Sequence, residues 1–106
     1  GVFLGRRYLK KKLVEDFTSK KNNPVKSDRA LGWDTPSSSG SSAGDYFSKG
    51  SFGHLGFTGT SLWIDPKEEI IIVFLTNRVH PSREKKGIYK VRRKLHNSIM
   101  INIKEF

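Results

Sequence analysis

The feature that most limits how this chain can fold is the run Ile70-Ile71-Ile72-Val73-Phe74-Leu75. It is apolar at every position and mostly β-branched. It therefore reads as a strand that needs neighbours beside it and cover on both faces. It closes the stretch from Ser51 to Asn77, SFGHLGFTGTSLWIDPKEEIIIVFLTN, which turn chemistry divides into three strands. Phe52 to Phe57 is the first, with Thr58-Gly59 as a tight turn. Thr60 to Ile64 is the second, and Asp65-Pro66-Lys67-Glu68 turns the chain again before Ile70 to Thr76. Glycine supplies positive φ in such turns and Asp-Pro initiates them. The expectation is an antiparallel three-stranded meander.

A helix is expected on either side of it. Leu9, Leu13, Val14 and Phe17 recur at helical spacing over about Leu9 to Ser19. No Ser, Thr or Asp caps the start, and Lys20-Lys21-Asn22-Asn23-Pro24 ends the helix, because proline cannot continue the ladder. The last helix is expected over about Lys85 to Lys104. Its apolar stripe would be Ile88, Val91, Leu95, Ile99 and Ile103, with Lys85, Lys86, Lys90, Arg92, Arg93 and Lys94 on the solvent side. Gly1 to Leu9 reads as a short hairpin around Gly5-Arg6, and Arg29 to Asp34 as a short extended segment with Trp33 in the core or a pocket wall. Residues 35–50 begin TPSSSGSSAG, a polar low-complexity stretch read as a surface loop. Asp45-Tyr46-Phe47 either anchors that loop or lines a cleft. The fold class is α+β: one partial domain over residues 1–106, with both helices on one face of a small antiparallel sheet.

Size and charge narrow the function classes. A chain of 106 residues that begins at Gly1 reads as a piece of a longer protein. The absence of cysteine excludes disulfides and thiolate metal sites. No His, Asp and Glu cluster has metal-ligand spacing, so neither a metal nor another cofactor is expected. No stretch approaches the roughly 20 apolar residues of a membrane span. The net charge of +10 fits a solvated basic surface, or a footprint for nucleic acid or another anionic surface. No nucleic-acid readout motif accompanies it, so nucleic acid is not the expected partner.

Residues 51–81, SFGHLGFTGTSLWIDPKEEIIIVFLTNRVHP, resemble the C-terminal part of the serine β-lactamase, DD-peptidase and esterase superfamily, in its class C-like branch. The resemblance extends to Leu31-Gly32-Trp33-Asp34-Thr35-Pro36, to the helix from Leu9 to Phe17 and to Leu95-His96-Asn97. In that family a Lys-Thr-Gly or His-Thr-Gly strand runs along the active-site edge, and the matching triplet here is His54-Leu55-Gly56. The resemblance implies that His54 stands beside a nucleophilic serine, where an imidazole can move a proton or hold a substrate carboxylate. It implies that the Phe57 backbone N–H is an oxyanion-hole donor, and that Leu55, Gly56 and Thr58 border the substrate. Gly56 would keep the strand edge open for close backbone approach.

The chain departs from the family pattern at Leu55, where a hydroxyl residue usually binds a substrate carboxylate. Leucine cannot do so, which tilts the reading towards an esterase-like or unassigned hydrolase. No Tyr-x-Asn element is present. Ser82-Arg83-Glu84-Lys85 matches Ser-x-x-Lys only literally, because it follows the His54 strand instead of preceding it. His80 and His96 read as turn and helix-surface residues. The chain alone is therefore expected not to turn over substrate. Its expected partners are the missing N-terminal part of the same fold, a second copy joined by strand addition or swapping, and a small amide or ester substrate in the parent protein. The resemblance suggests a periplasmic, secreted or membrane-associated parent. Two readings compete with the hydrolase: a basic binding module, and a non-catalytic relative of which Leu55 is the trace.

Overall fold

The structure is a computed structural model that describes residues 1–22 and 24–105. Asn23, part of the expected helix-ending stretch, and Phe106 lie outside the described residues. In chain order the elements are β1 (Val2–Phe3), β2 (Arg6–Arg7), α1 (Lys11–Thr18), β3 (Phe52–Leu55), β4 (Ser61–Asp65), β5 (Ile70–Phe74) and α2 (Ile88–Lys104). β1 and β2 form the expected hairpin, and Leu4 and Gly5 both take positive φ between them, as a tight two-residue turn requires. β3, β4 and β5 form the expected antiparallel meander in that order. The segment before it joins the sheet at one point: Asp34 and Gly53 exchange both backbone bonds, at 2.7 and 2.9 Å. That closes the outer edge of β3 at Gly53. Past Gly53 no described backbone group pairs with that edge.

Register fixes the two faces. Directly opposed residues of an antiparallel pair share a face, so Gly53, Trp63 and Ile72 lie on one side, and His54, Leu62 and Val73 on the other. Trp63 is buried at the centre of the first face. A Cβ on Gly53 would collide with the Trp63 ring and the Leu62 carbonyl, so the indole lies across β3 only because glycine is there. Phe47 meets the Trp63 ring at 5.9 Å and the His96 ring of α2 at 5.8 Å. Phe47 thus anchors its loop, and α2 covers the Trp63 face.

The α+β class holds, but the helices are divided between the faces instead of sharing one. α1 lies on the side of Phe52, which alternates away from Trp63. Leu9, Leu13, Val14 and Phe17 line an apolar hollow of about 320 Å³ with Trp33 and Phe52, and Trp33 meets Phe52 edge-on at 5.1 Å. The physical reason is parity: Gly53 and Trp63 claim one face for α2, so the flanking Phe52 must find its cover opposite. No residue of α1 is fully buried.

α2 also presents a different row from the one expected. Its buried residues are Ile88, Arg92, His96 and Met100, an i, i+4 row, whereas Val91 and Ile103 are exposed. Arg92 and His96 were expected on the wet side. They are buried because carbonyl groups await them: Nη2 of Arg92 donates to the Gly56 and Thr60 carbonyls at 2.9 and 2.7 Å, and Nδ1 of His96 donates to the Ser42 carbonyl at 2.7 Å. A buried polar group is tolerated when it is bonded. Burial pushes the His96 pKa down, against the bond to Ser42, and the nearby Arg92 charge pushes the same way as burial.

The loop over 35–50 is drawn in at its centre, where Ser41, Ala43 and Gly44 are buried. Small side chains let its backbone come against α2. Asp45 then fastens it, accepting bonds from Arg93 at 2.6 Å and Asn97 at 2.8 Å, while Asn97 Oδ1 accepts the Asp45 N–H at 2.7 Å. At the far end of β4, Asp65 is fully buried and accepts the N–H groups of Ser48, Lys67 and Glu68 at 2.7, 3.1 and 3.2 Å. Burial raises its pKa, but the bonds from Ser48, Glu68 and Lys67 outweigh burial and hold the carboxyl below its usual value of 3.8.

Two outcomes are expected. Gly53→Ala should lower stability by about 2 kcal/mol through overpacking against Trp63. Gly50→Ala, where a Cβ meets nothing within 4 Å, should change the urea midpoint little. Asp65 has a depressed folded pKa, so its contribution is full above the unfolded pKa and is lost as pH falls through the folded one. Asp65→Asn should therefore flatten the acid limb of the stability profile below about pH 4 and leave its slope near neutrality unchanged.

Candidate functional site

The open part of the β3 edge and the turn into β4 form the candidate site. Backbone polar groups alternate along a strand. Gly53 points its N–H and C=O at Asp34, so Leu55, the last residue of β3, points its own to the same outer edge, and Phe57 follows in the turn. Gly56 instead donates to the Thr60 carbonyl at 2.8 Å, which closes the hairpin. Among the described residues, the Phe57 N–H has no acceptor. Phe57 is exposed in this turn.

His54 is exposed, on the face opposite Trp63. Its Nδ1 lies 2.9 Å from the Leu55 carbonyl. A ring nitrogen facing a carbonyl must carry the proton, so the neutral ring keeps its free lone pair on Nε2. Such a ring is oriented by its own neighbour and can accept or return a proton at Nε2. Leu55 lends its carbonyl to His54, but its side chain alternates to the other face with Ser61 and Phe74. Thr58 is exposed, and its carbonyl accepts the Arg78 N–H at 3.0 Å. At Gly56 a Cβ would collide with the Thr60 hydroxyl, so the missing side chain makes room within the turn. His54 lines a shallow hollow with Leu55, Gly56, Leu62 and Val73, whereas Phe57 lines a separate one with Arg78, Arg83 and Tyr89, and Thr58 follows Phe57 in the turn.

Two arginines that the sequence reading assigned no role hold this turn. Arg78 Nε donates to the Phe57 carbonyl at 2.7 Å, and the guanidinium lies 4.5 Å from the centre of the Phe57 ring. Its Nη1 reaches the Arg83 and Lys85 carbonyls at 2.8 and 3.1 Å, tying the turn to the segment before α2. Arg92 holds the same turn from the sheet side. Burial pushes its pKa down, and the Arg78 charge adds to that. Two guanidinium groups flanking a free N–H make the edge electropositive, which favours an anion there. Arg92 had one signal in the sequence, its place in the i, i+4 row between Ile88 and His96. His80 is exposed, as expected. Ser82 and Lys85 lie in a turn, not at a helix start, and Ser82 Oγ accepts the Glu84 N–H at 3.2 Å.

The beta-lactamase family model matches residues 4–96. The chain belongs to the beta-lactamase family. Among solved structures, a beta-lactamase from Mycobacterium bovis superposes with a TM-score of 0.74 at 19% identity, covering 90% of this chain and 38% of that one. The match at this identity concerns the fold. The sheet, hairpin and two helices are thus a partial beta-lactamase fold, and the chain spans 38% of the length of that beta-lactamase. No curated protein matches the chain in sequence. Membership of the serine beta-lactamase superfamily gives strand β3 its context: it carries an exposed histidine, and in the turn that follows it the Phe57 N–H has no acceptor among the described residues.

Proposed function

We propose that this chain forms one wall of an acyl-transfer site in a beta-lactamase-like serine hydrolase. The observation that carries the reading is the Phe57 N–H, without an acceptor among the described residues in the turn that follows the strand presenting His54. A serine from elsewhere in the parent fold attacks the substrate carbonyl, and the electron pair of that C=O moves to oxygen. The Phe57 N–H donates to the oxyanion, and His54 Nε2 holds or moves a proton near the reacting centre. Collapse expels an amine or alcohol, and water then cleaves the acyl-serine ester. Fixed donors aimed at charge that develops in the transition state lower its energy without reorganisation.

The substrate class follows from the edge. Where the family pattern has a hydroxyl for a substrate carboxylate, this chain has Leu55, which offers no hydrogen bond, so esters or simple amides suit it better than penicillin-like β-lactams. The competing reading as a basic binding module calls for the cations of both helices on one surface. α1 and α2 instead cover opposite faces of the sheet. Among the described residues β5 pairs only with β4, and Ile71, Val73 and Leu75 are exposed along it. That edge suits a further strand, either from the parent fold or from a second copy.

In the parent protein, His54→Ala should lower kcat for a p-nitrophenyl ester by about a hundredfold or more, with turnover of nitrocefin weaker than that of the ester before and after the change. This chain by itself should hydrolyse neither. An unchanged kcat in the variant, or serine-dependent turnover by the isolated chain, contradicts the reading.

A further inference from the structure

We propose that Arg92 is a positioning residue for the oxyanion donor: from the buried side of the turn it grips the carbonyl of the same peptide unit whose N–H is that donor. The inference rests on the assignment of the Phe57 N–H as donor and adds what aims it. The peptide unit between Gly56 and Phe57 is trans and planar, so its C=O and N–H point in opposite directions. Arg92 Nη2 bonds the Gly56 carbonyl at 2.9 Å and the Thr60 carbonyl at 2.7 Å. A rotation that turned the Phe57 N–H to another direction would have to pull the Gly56 oxygen off a cation. A charged donor on the C=O also draws electrons from the amide and makes its N–H a better donor, as bonds in a chain reinforce one another.

A purely structural role accounts poorly for this arginine. Both carbonyls already have backbone partners, since Gly56 N–H bonds Thr60 O at 2.8 Å and Gly59 N–H bonds Gly56 O at 3.1 Å. Removing Arg92 would orphan neither. Arg92 is 3% exposed, its Nε has no partner, and no described carboxylate pairs with it. Its neighbour across the turn is another cation, Arg78. An unpaired buried charge is costly, and an apolar replacement of similar volume is often neutral or stabilising. The Phe57 peptide is what the arrangement serves: Arg92 fixes the carbonyl before it and Arg78 the carbonyl after it.

The test compares Arg92→Met and Arg92→Lys in the parent protein, with Phe57→Pro, which deletes the donor. Arg92→Met should lower kcat on the order of ten- to a hundredfold with KM little changed, less than losing the donor outright. Its melting temperature should stay level or rise. Arg92→Lys should restore most of kcat, because a single nitrogen makes both contacts. The Gly56 carbonyl carbon and Phe57 amide resonances should move in the Met variant and return in the Lys variant. If Arg92→Met leaves kcat unchanged while Phe57→Pro lowers it, the donor stands and the role given to Arg92 is wrong. If Phe57→Pro leaves kcat unchanged in a folded protein, the donor reading itself fails, and this inference with it. Loss of the fold in both Arg92 variants, or a fall in kcat that lysine does not recover, assigns Arg92 to structure and overturns the proposal.

Discussion

The arrangement of the whole molecule depends on Trp63 lying across Gly53. That contact needs a bare Cα on β3, and it commits one face of the sheet to the indole, to Phe47 above it and to α2 beyond. Strand alternation then leaves no freedom. His54, one residue on, must project from the opposite face, on a strand whose outer edge Asp34 leaves open past Gly53. An exposed histidine follows from where one large ring is buried.

α2 closes that arrangement with an unusual row. A helix covering a sheet ordinarily buries aliphatic side chains, yet two of the four buried positions here are Arg92 and His96. Each reaches a carbonyl that loop or turn geometry turns inward, Ser42 in one case and Gly56 with Thr60 in the other. A cation in that position opposes stability, because its desolvation is not repaid by a carboxylate. Proteins keep such groups where geometry matters more than stability.

The meander was legible in the sequence because Ile70 to Leu75 has only one comfortable state and because Gly59 and Asp65-Pro66 are turns with a mechanism. The β1–β2 hairpin and the extent of α1 were legible for similar local reasons. The sides of the sheet taken by the helices were not, because that depends on the Gly53–Trp63 contact between strands, which no local pattern reveals. The buried row of α2 was hidden for a related reason. Arginine and histidine read as solvent-facing until the carbonyls they meet are known, and those carbonyls come from residues more than 30 positions away, as the Arg92–Thr60 spacing of 32 illustrates. The loop over 35–50 looked too polar to enter the core. In fact its small side chains allow Ser42 and Gly44 to approach α2 closely. His54 and Phe57 were singled out by a motif, whereas the carbonyls that Arg78 and Arg92 reach are visible only in the structure.

The central claim is that a single amide, that of Phe57, is held unpaired in the turn that follows the strand presenting His54. Residue-resolved amide hydrogen exchange on this chain tests it most directly. The account predicts that Phe57 exchanges at close to the rate of an unstructured peptide, while Gly53 and Gly56, bonded to Asp34 and Thr60, are slowed by roughly a hundredfold or more. Protection of Phe57 equal to that of Gly56 would mean that its N–H is spent within the fold, and the account would fail.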